Sequence, residues 1–145
     1  MENDYKGQWC TVPTESDNED NSIIFVTGRK DIEKFRNNPR FNIRVEVTMP
    51  YQAEPSGMPK ENEAHILGDV TDRLVDIFQR DPIAVLTGIY TGCGTRNWIF
   101  YTLSTHIFQR KINEALSDLP TLPISIIAEN DPDWLEYDEM NSVLD

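Results

Sequence analysis

The side chains that could carry chemistry form two small groups, one on a predicted helix and one in a predicted turn. His65, Asp69 and Asp72 are spaced i, i+4 and i+7, which places an imidazole and two carboxylates on one helix face, an arrangement that can bind a metal ion. The same face is predicted to meet solvent, where acidic residues are common. His106 begins another predicted helix, and nothing in the sequence connects it with His65. We therefore predict no metal site and no cofactor.

The second group is the glycine-flanked Cys93 with Arg96 three residues later. A nearby positive charge favours the thiolate, which is the nucleophilic form of cysteine. However, no histidine is positioned to act as its base, and glycine at a hairpin tip is explained by backbone conformation alone. The loop lacks the Lys-Ser/Thr pair of a phosphate-binding loop, and the chain contains no G-x-S-x-G, H-E-x-x-H or C-x-x-C motif. We predict no catalytic residue and favour a protein that is not an enzyme; an enzyme or small-molecule-binding domain with a site near residues 92–96 is the alternative.

The excess negative charge lies at the two ends of the chain. Residues 1–20 sum to −5 and residues 129–145 to −7, which accounts for the net charge of −12 and leaves residues 21–128 neutral. Such a charge distribution repels nucleic-acid phosphates and anionic lipids, so we predict neither a nucleic-acid nor a membrane partner. It favours a basic protein as the partner. The basic stretch 29–40 could also fold against an acidic end and weaken the outward negative field.

Length and composition predict a single domain, residues 1–145. The sequence contains no apolar run of about 18 residues, as a membrane-spanning helix would require. Its first residues lack the basic start and apolar stretch of a signal peptide. Two cysteines, Cys10 and Cys93, do not make a disulfide framework. We expect a cytoplasmic protein.

The elements that position these residues are predicted from hydrophobic periodicity. Residues 41–49 alternate apolar and polar side chains, as in a half-buried strand. The predicted strands are 6–12, 22–27, 41–49, 83–91, 96–103 and 124–128; the predicted helices are 62–79 and 105–118, with an acidic loop at 13–22 and a loop or short helix at 29–40.

The order of these elements predicts an α+β fold. From residue 41 to residue 128 the order is strand-helix-strand-strand-helix-strand, which is that of the ferredoxin-like α/β plait. The expected sheet order is 124–128, 41–49, 97–103, 83–91. We expect the two N-terminal strands to extend or cover an edge of this sheet and the C-terminal segment to dock on it.

Strand pairing within the 83–103 hairpin decides which aromatic side chains face the two helices. Simple pairing across the loop groups Trp98 and Phe100 with Thr87, and this mixed aromatic and threonine set suits the face away from the helices, where it would form a binding surface. The charged residues expected beside this surface are Arg44, Glu46 and Arg96. In the alternative interpretation, residues 1–27 or a second copy of the chain simply cover the aromatic side chains.

The acidic C-terminal segment has the features of a helix start. Asp131 is a candidate N-cap and Pro132 suits the first turn, with acidic residues complementing the helix dipole. Trp134 and Tyr137 lie three residues apart on one face and could attach the segment to the body of the protein. Alternatively, Trp134 with Asp131 and Asp133 forms a linear motif that another protein recognises.

Three stretches of the chain resemble a bacterial family of small proteins, the domain of unknown function family numbered 695. They are Gln8-Trp9-Cys10, the hairpin motif Gly-x-Arg-x-Trp-x-Phe-Tyr at residues 94–101, and the terminal Asp-Pro-x-Trp-x-x-Tyr at residues 131–137. The resemblance implies an α/β plait like that of the regulator of ribonuclease E activity called B, a domain joined to this one in some chains. It implies no activity and supplies no catalytic residue.

These observations favour a cytoplasmic, non-enzymatic binding or regulatory module that acts by protein–protein contact. An inhibitor of a basic nuclease or toxin would fit the charge, because complementary charge speeds association and selects partners. One alternative is the small-molecule or enzymatic site near residues 92–96. The other is a self-associating domain, with Trp98 buried between the two chains of a homodimer.

Overall fold

A six-stranded antiparallel sheet organises the residues that the computed structural model describes, which are 9–15, 23–30 and 32–144. The strands are β1 (Trp9–Glu15), β2 (Ile23–Arg29), β3 (Ile43–Pro50), β4 (Ala84–Gly92), β5 (Thr95–Thr102) and β6 (Ser125–Asn130). The helices are α1 (Glu33–Arg36), α2 (Glu61–Arg80), α3 (Thr105–Ala115) and α4 (Leu135–Leu144). The sheet order is β1-β2-β4-β5-β3-β6. The α+β class and the order predicted for the last four strands are confirmed.

Some predictions for the acidic N-terminal segment concern residues outside the described part of the chain. The expected strand 6–12 is described only from Trp9, and β1 continues to Glu15, into the expected loop. Residues 1–8 and 16–22, which carry most of the N-terminal acidic side chains, lie outside the described part of the chain.

One face of the sheet packs against α2 and α3. The alternation predicted for the strand at 41–49 is confirmed, because Val45, Val47 and Met49 of β3 are buried on this face. Helix α2 contributes an apolar stripe to the same core, formed by Leu67, Val70, Leu74, Ile77 and Phe78. The Phe78 and Phe108 rings are stacked with centroids 5.0 Å apart. The buried stripe explains why α2 is helical over its whole length.

The other face of the sheet is covered by the C-terminal helix together with α1. Helix α4 contacts β1, β2 and β4. The side chains that form this second core are Val26, Ile32, Phe35, Phe41, Val85, Tyr101, Trp134, Tyr137 and Met140. Helices cover both faces of the sheet, so the described structure exposes no broad apolar face over β4 and β5. The expectation of a docked C-terminal segment is confirmed.

The expected orientation of the hairpin aromatics is wrong. The predicted pairing is correct for Gly88 with Ile99 and for Ile89 with Trp98, but a β-bulge between Leu86 and Gly88 shifts the earlier residues by one position. Leu86 therefore lies opposite Phe100. The shift moves Ala84 and Leu86 of β4 to the face that carries Trp98 and Phe100, so that face becomes the more apolar one.

Trp98 and Phe100 consequently belong to the core against α2 and α3, and both are completely buried. The indole nitrogen of Trp98 donates a hydrogen bond to Thr71 Oγ1 on α2, 2.9 Å away. They form no accessible binding surface, and Trp98 is buried within its own chain. The expectation of an interface centred on them is therefore wrong.

Candidate functional site

The acidic C-terminal segment is attached to the sheet by its aromatic residues. The Trp134 indole stacks on the Tyr101 ring, with 4.0 Å between centroids and 12° between planes. Its nitrogen donates to the Phe41 carbonyl at 2.7 Å, and the Tyr137 hydroxyl donates to the Arg29 carbonyl at 2.5 Å. Buried indole and phenol groups need such partners. Trp134 and Tyr137 thus anchor α4 in the described structure.

Asp131 links this anchor to the start of the helix. Its carboxylate accepts hydrogen bonds from the Tyr101 hydroxyl at 2.7 Å and from the amides of Leu135 and Glu136 at 2.9 and 3.1 Å. Burial raises the pKa of the Asp131 carboxyl, but these hydrogen bonds lower it, and the net pKa lies below its ordinary value. Burial and the adjacent Asp131 raise the pKa of Tyr101. Asp131 therefore caps the first amides of α4 with its side chain, but it is not the residue directly before the helix, as the predicted N-cap would be.

The exact start of the helix differs from the prediction. Helix α4 begins at Leu135, whereas Pro132 and Asp133 form a turn closed by a hydrogen bond from the Trp134 amide to the Asp131 carbonyl at 3.1 Å. Trp134 has a left-handed backbone, with φ of 55°, so the helix cannot run continuously from the turn. This backbone conformation turns the indole onto Tyr101 while the Asp131 side chain satisfies the first helical amides.

One acidic residue of α4 is paired with the basic stretch 29–40. The Arg36 guanidinium donates to both carboxylate oxygens of Asp138, at 2.5 and 2.7 Å, and to the Asp133 carbonyl at 3.4 Å. This bidentate hydrogen bonding raises the pKa of Arg36. The basic stretch therefore does fold against the acidic end, and Asp138 is not available to neutralise a partner's charge.

The outward side of α4 carries the remaining acidic side chains together with exposed apolar ones. Leu135, Glu139 and Val143 are spaced i, i+4 and i+8, and Leu135 is 65% exposed and Val143 45% exposed. Glu136 lies beside them on the same helix, and Asp133 lies just before it; both are exposed. We call these five residues the α4 acidic face. Apolar residues surrounded by one sign of charge are typical of a surface that binds a protein of opposite charge.

Sequence reasoning did not single out Leu135, Glu139 and Val143. The sequence shows that these residues are spaced at successive helical turns. It does not show which side of the helix faces solvent, because that depends on the position of Trp134. Asp133, in contrast, was predicted as a binding residue, and it is exposed.

Arg44 and Glu46 lie on β3, on the same face of the sheet as α4. Arg44 donates to Glu46 at 3.5 Å and to Glu129 of β6 at 3.3 Å. The Arg44 Nε is buried without a hydrogen-bond partner in the described structure. Both side chains are partly buried. Arg44 and Glu46 therefore belong to a group of ion pairs within the chain. The prediction that they lie beside a binding surface formed by Trp98 is wrong.

The turn at 92–96 holds the second predicted group. Cys93 and Gly94 both have positive φ, 54° and 81°, which is the backbone of a two-residue hairpin turn. Arg96 points toward α2 and donates to Thr91 Oγ1 at 2.9 Å and to Thr71 Oγ1 at 3.5 Å. Burial lowers the pKa of Arg96. Three cavities, of about 380, 240 and 200 Å³, border α3, and none of them is lined by a residue of this turn.

The histidines and acidic residues considered as metal ligands lie on exposed helix surfaces. His65, Asp69 and Asp72 are exposed on α2, and Asp69 accepts from Arg73 at 3.3 Å. His106 is exposed on α3. Within the described ranges, no group of three or more His, Cys, Asp or Glu side chains is placed to hold a metal ion. None of the helices in those ranges has the length and apolar character needed to cross a bilayer.

The fold and this surface define a small α+β protein with an antiparallel sheet between helical layers. The chain belongs to the family of unknown function DUF695, whose model matches residues 9–140. The resemblance carried by the three sequence motifs is thereby confirmed. No curated protein and no solved structure was found to match the chain.

Proposed function

We propose that the chain is a non-enzymatic regulatory module that binds a basic protein through the α4 acidic face. The observation that carries this proposal is the combination, on one helix, of exposed Leu135 and Val143 with the acidic residues Asp133, Glu136 and Glu139. Helix α4 has no basic residue, and its remaining acidic residue, Asp138, is paired with Arg36. Charge complementarity of this kind accelerates association and selects basic partners.

The attachment of α4 also supports a binding role. Because Trp134, Tyr137 and Met140 are buried on the sheet side, the outward residues are held on a rigid helix. Preorganised surfaces lose less conformational freedom on binding than flexible tails. The segment would therefore act as a folded surface, and not as the linear motif that Trp134 and its acidic neighbours could have formed.

We further propose that the sheet with α2 and α3 is a ferredoxin-like plait related to that of the regulator of ribonuclease E activity called B. The supporting feature is the order β3-α2-β4-β5-α3-β6. We also propose a cytoplasmic setting, for which the support is the number of cysteines, too small for a disulfide framework.

The test is salt-dependent capture of basic proteins by the intact, immobilised chain. We expect capture at low ionic strength and loss at about 0.5 M salt, where screening is strong. The double variant Glu136→Gln, Glu139→Gln should lose most of the capture. The matched control, Glu54→Gln with Asp72→Asn, changes the net charge equally at exposed positions outside α4 and should retain it.

Equal capture by both double variants would overturn the proposal, because the attraction would then depend only on net charge. Capture that persists at high salt in the Glu136→Gln, Glu139→Gln variant would also overturn it. Leu135→Ala separates the apolar contribution from the charge: it should weaken binding by a similar factor at each salt concentration at which the unsubstituted chain is still captured, since apolar contact is little affected by screening. Asp131 is unsuitable for such a test because its neutralisation would disturb the start of α4.

The alternative, a small-molecule or enzymatic site near residues 92–96, has less support. It would rely on Arg96 and Cys93, and Arg96 already donates to two threonine hydroxyls. Binding of a small anion that is lost in Arg96→Gln, with α4 variants unaffected, would favour this alternative over the α4 acidic face.

A further inference from the structure

Strand β6 is an edge of the sheet and is open on both faces. Among the described residues it pairs on one side only, with β3, and all six of its own residues are exposed. Ile127 is 62% exposed and Ile126 39% exposed. Exposed apolar side chains on an edge strand are unusual, because such an edge can pair with another chain.

The direction of the free backbone groups of β6 follows from its pairing with β3. The Asp131 amide donates to the Asn42 carbonyl at 2.8 Å, just beyond the pair Ile43 and Asn130. Hydrogen-bonded positions alternate along an antiparallel pair, so Ile127 and Glu129 bond inward to β3. Ile126 and Ala128 therefore direct their amide and carbonyl groups away from the sheet.

The two edges of the sheet differ in how they are protected. Natural edge strands avoid unwanted pairing with proline or inward charges. Strand β1, at the other edge, contains the exposed Pro13. Strand β6 contains no proline, and its one charged residue, Glu129, is paired with Arg44 of the same chain at 3.3 Å. The β6 edge is therefore open to a further strand.

The polarity of β6 is symmetric about its third residue. Reading Ser125-Ile126-Ile127-Ala128-Glu129 in either direction gives one polar residue, three apolar residues and one polar residue. We infer that a second copy of the chain pairs its own β6 antiparallel to this strand, on a twofold axis at Ile127. Ile126 of each copy then exchanges hydrogen bonds with Ala128 of the other, because both direct their backbone groups outward.

The side chains are compatible with this twofold pairing. Ile127 lies opposite Ile127 of the second copy, which covers the most exposed apolar residue of the strand. Ser125 lies opposite Glu129 of the second copy, so no like charges face each other directly. In a chain of net charge −12, such a neutral edge is where two copies can approach with least repulsion.

The surface beside β6, toward α3, is also without charged residues. Two cavities, of about 380 and 200 Å³, lie between β6 and α3, and both are bordered by Ile126 and Gln109. None of the residues that line either cavity is charged. A basic partner would meet no carboxylate in these cavities, and the one carboxylate of the strand, Glu129, is paired with Arg44. This distinguishes the edge from the α4 acidic face and favours a second copy as its occupant.

The mass of the intact chain in solution tests the association. Sedimentation between about 1 and about 100 µM, a range that covers ordinary weak to moderate affinities, should give twice the chain mass of 16.7 kDa at the upper end. Ile127→Lys places two ammonium groups opposite each other and should raise the dimer dissociation constant about tenfold or more. The control Leu135→Lys changes an equally exposed leucine on α4 and should remain dimeric.

Cysteine cross-linking tests the register. At the centre of the twofold, the Cα atoms of the Ile127 pair would be about 4.5 Å apart, the spacing of a non-hydrogen-bonded pair and within disulfide range. Ile127→Cys should therefore form an intermolecular disulfide on mild oxidation. Ser125→Cys is the matched control: its two copies would be about 13 Å apart along the strands and should not cross-link. The unsubstituted chain, with Cys10 and Cys93, gives the background.

Three outcomes would overturn the inference: a monomer at every concentration, a dimer that Ile127→Lys leaves intact, or cross-linking at Ser125 in place of Ile127. Circular dichroism of each variant verifies that it is folded, which is expected because both side chains lie at the surface. The inference is independent of the proposed function. Ile127→Lys should leave the capture of basic proteins unchanged, whereas Glu136→Gln with Glu139→Gln should leave the mass unchanged.

Discussion

The Trp134 indole lies flat on the Tyr101 ring, 4.0 Å between centroids, and joins the last helix to the middle of the sheet. The Tyr101 hydroxyl donates at 2.7 Å to Asp131 and accepts the Tyr137 amide at 3.2 Å. Each of these groups is buried. The acidic C-terminal segment is therefore held by a buried aromatic and hydrogen-bonded cluster, and its charged residues are positioned by it.

Trp134→Ala should destabilise the protein by about 3–5 kcal/mol, the usual range for removing a large buried aromatic side chain. The variant loses the stacking on Tyr101 and leaves the Phe41 carbonyl without its indole donor. Urea unfolding measures the change in the free energy of unfolding. The adjacent Leu135→Ala is the control, and its effect should stay within about 0.5 kcal/mol because Leu135 is exposed. Equal effects of both substitutions would show that the cluster does not hold α4.

The stability contributed by Asp131 should depend on pH. Because the pKa of Asp131 is lowered in the folded protein, its contribution is complete above the unfolded pKa and is lost as pH falls through the folded pKa. Asp131→Asn should thus cost about 1–2 kcal/mol at pH 7, as for a lost charged cap. The difference from the unsubstituted chain should shrink from about pH 5 downwards.

Urea unfolding at a series of pH values from about 3 to about 7 measures this dependence. Asp133→Asn is the matched control, since Asp133 is exposed in the turn before α4; its effect should be small at every pH. A cost of Asp131→Asn that stays constant over the whole range would contradict the assigned role of the ionised carboxylate.

Much of the fold was predictable because strong local patterns agree with the tertiary structure. The alternation in β3 succeeded because Val45 and Val47 face a core on one side only. The hairpin faces were not predicted, because regular pairing was assumed through Gly88, although a glycine inside a strand often marks a bulge. The bulge places Leu86 and Ala84 on the same face as Trp98 and Phe100, and this apolar set is the one that packs against α2 and α3.

The candidate site was predictable in part for a similar reason. Asp131, Trp134 and Tyr137 were recognisable from capping chemistry and helical spacing. The left-handed backbone of Trp134 was not, because a non-glycine residue adopts it only where tertiary contacts compensate. The start of α4 and the direction of Leu135 depend on that conformation, so the exposed apolar part of the α4 acidic face was missed.

Two glycines allow a matched test of how closely α4 packs. A Cβ added at Gly88 would overlap the Met140 sulfur, whereas one added at Gly68 on α2 would meet nothing within 4 Å. Gly88→Ala should cost about 1 kcal/mol, the lower end of the overpacking range, because the contacting atoms are the flexible end of the Met140 side chain. Gly68→Ala should stabilise by about 0.5–1 kcal/mol, since alanine is the better helix former.

A double-mutant cycle locates the cause of the Gly88 effect. In a Met140→Ala background the sulfur is absent, and Gly88→Ala should then cost much less, with a coupling free energy of about 1 kcal/mol or more. Additive effects of the two substitutions, measured by urea unfolding, would contradict the contact between Met140 and Gly88.

The hydroxyl of Thr71 allows a test of the core between the sheet and the helices α2 and α3. It accepts from Trp98 Nε1 and donates to the Leu67 carbonyl, both at 2.9 Å. Thr71→Val keeps the shape of the side chain but leaves the fully buried Trp98 nitrogen without an acceptor. An unsatisfied buried donor costs about 1–3 kcal/mol, and we expect a loss of that size in the free energy of unfolding, measured in urea.

Thr71→Ser is the control: it retains the hydroxyl and should cost less than about 1 kcal/mol, since only one methyl group is removed. Serine, threonine and valine have similar helix propensities, so helix formation does not account for the difference. A valine variant as stable as the serine variant would mean that Trp98 finds another acceptor, and that its position against α2 is fixed by packing alone.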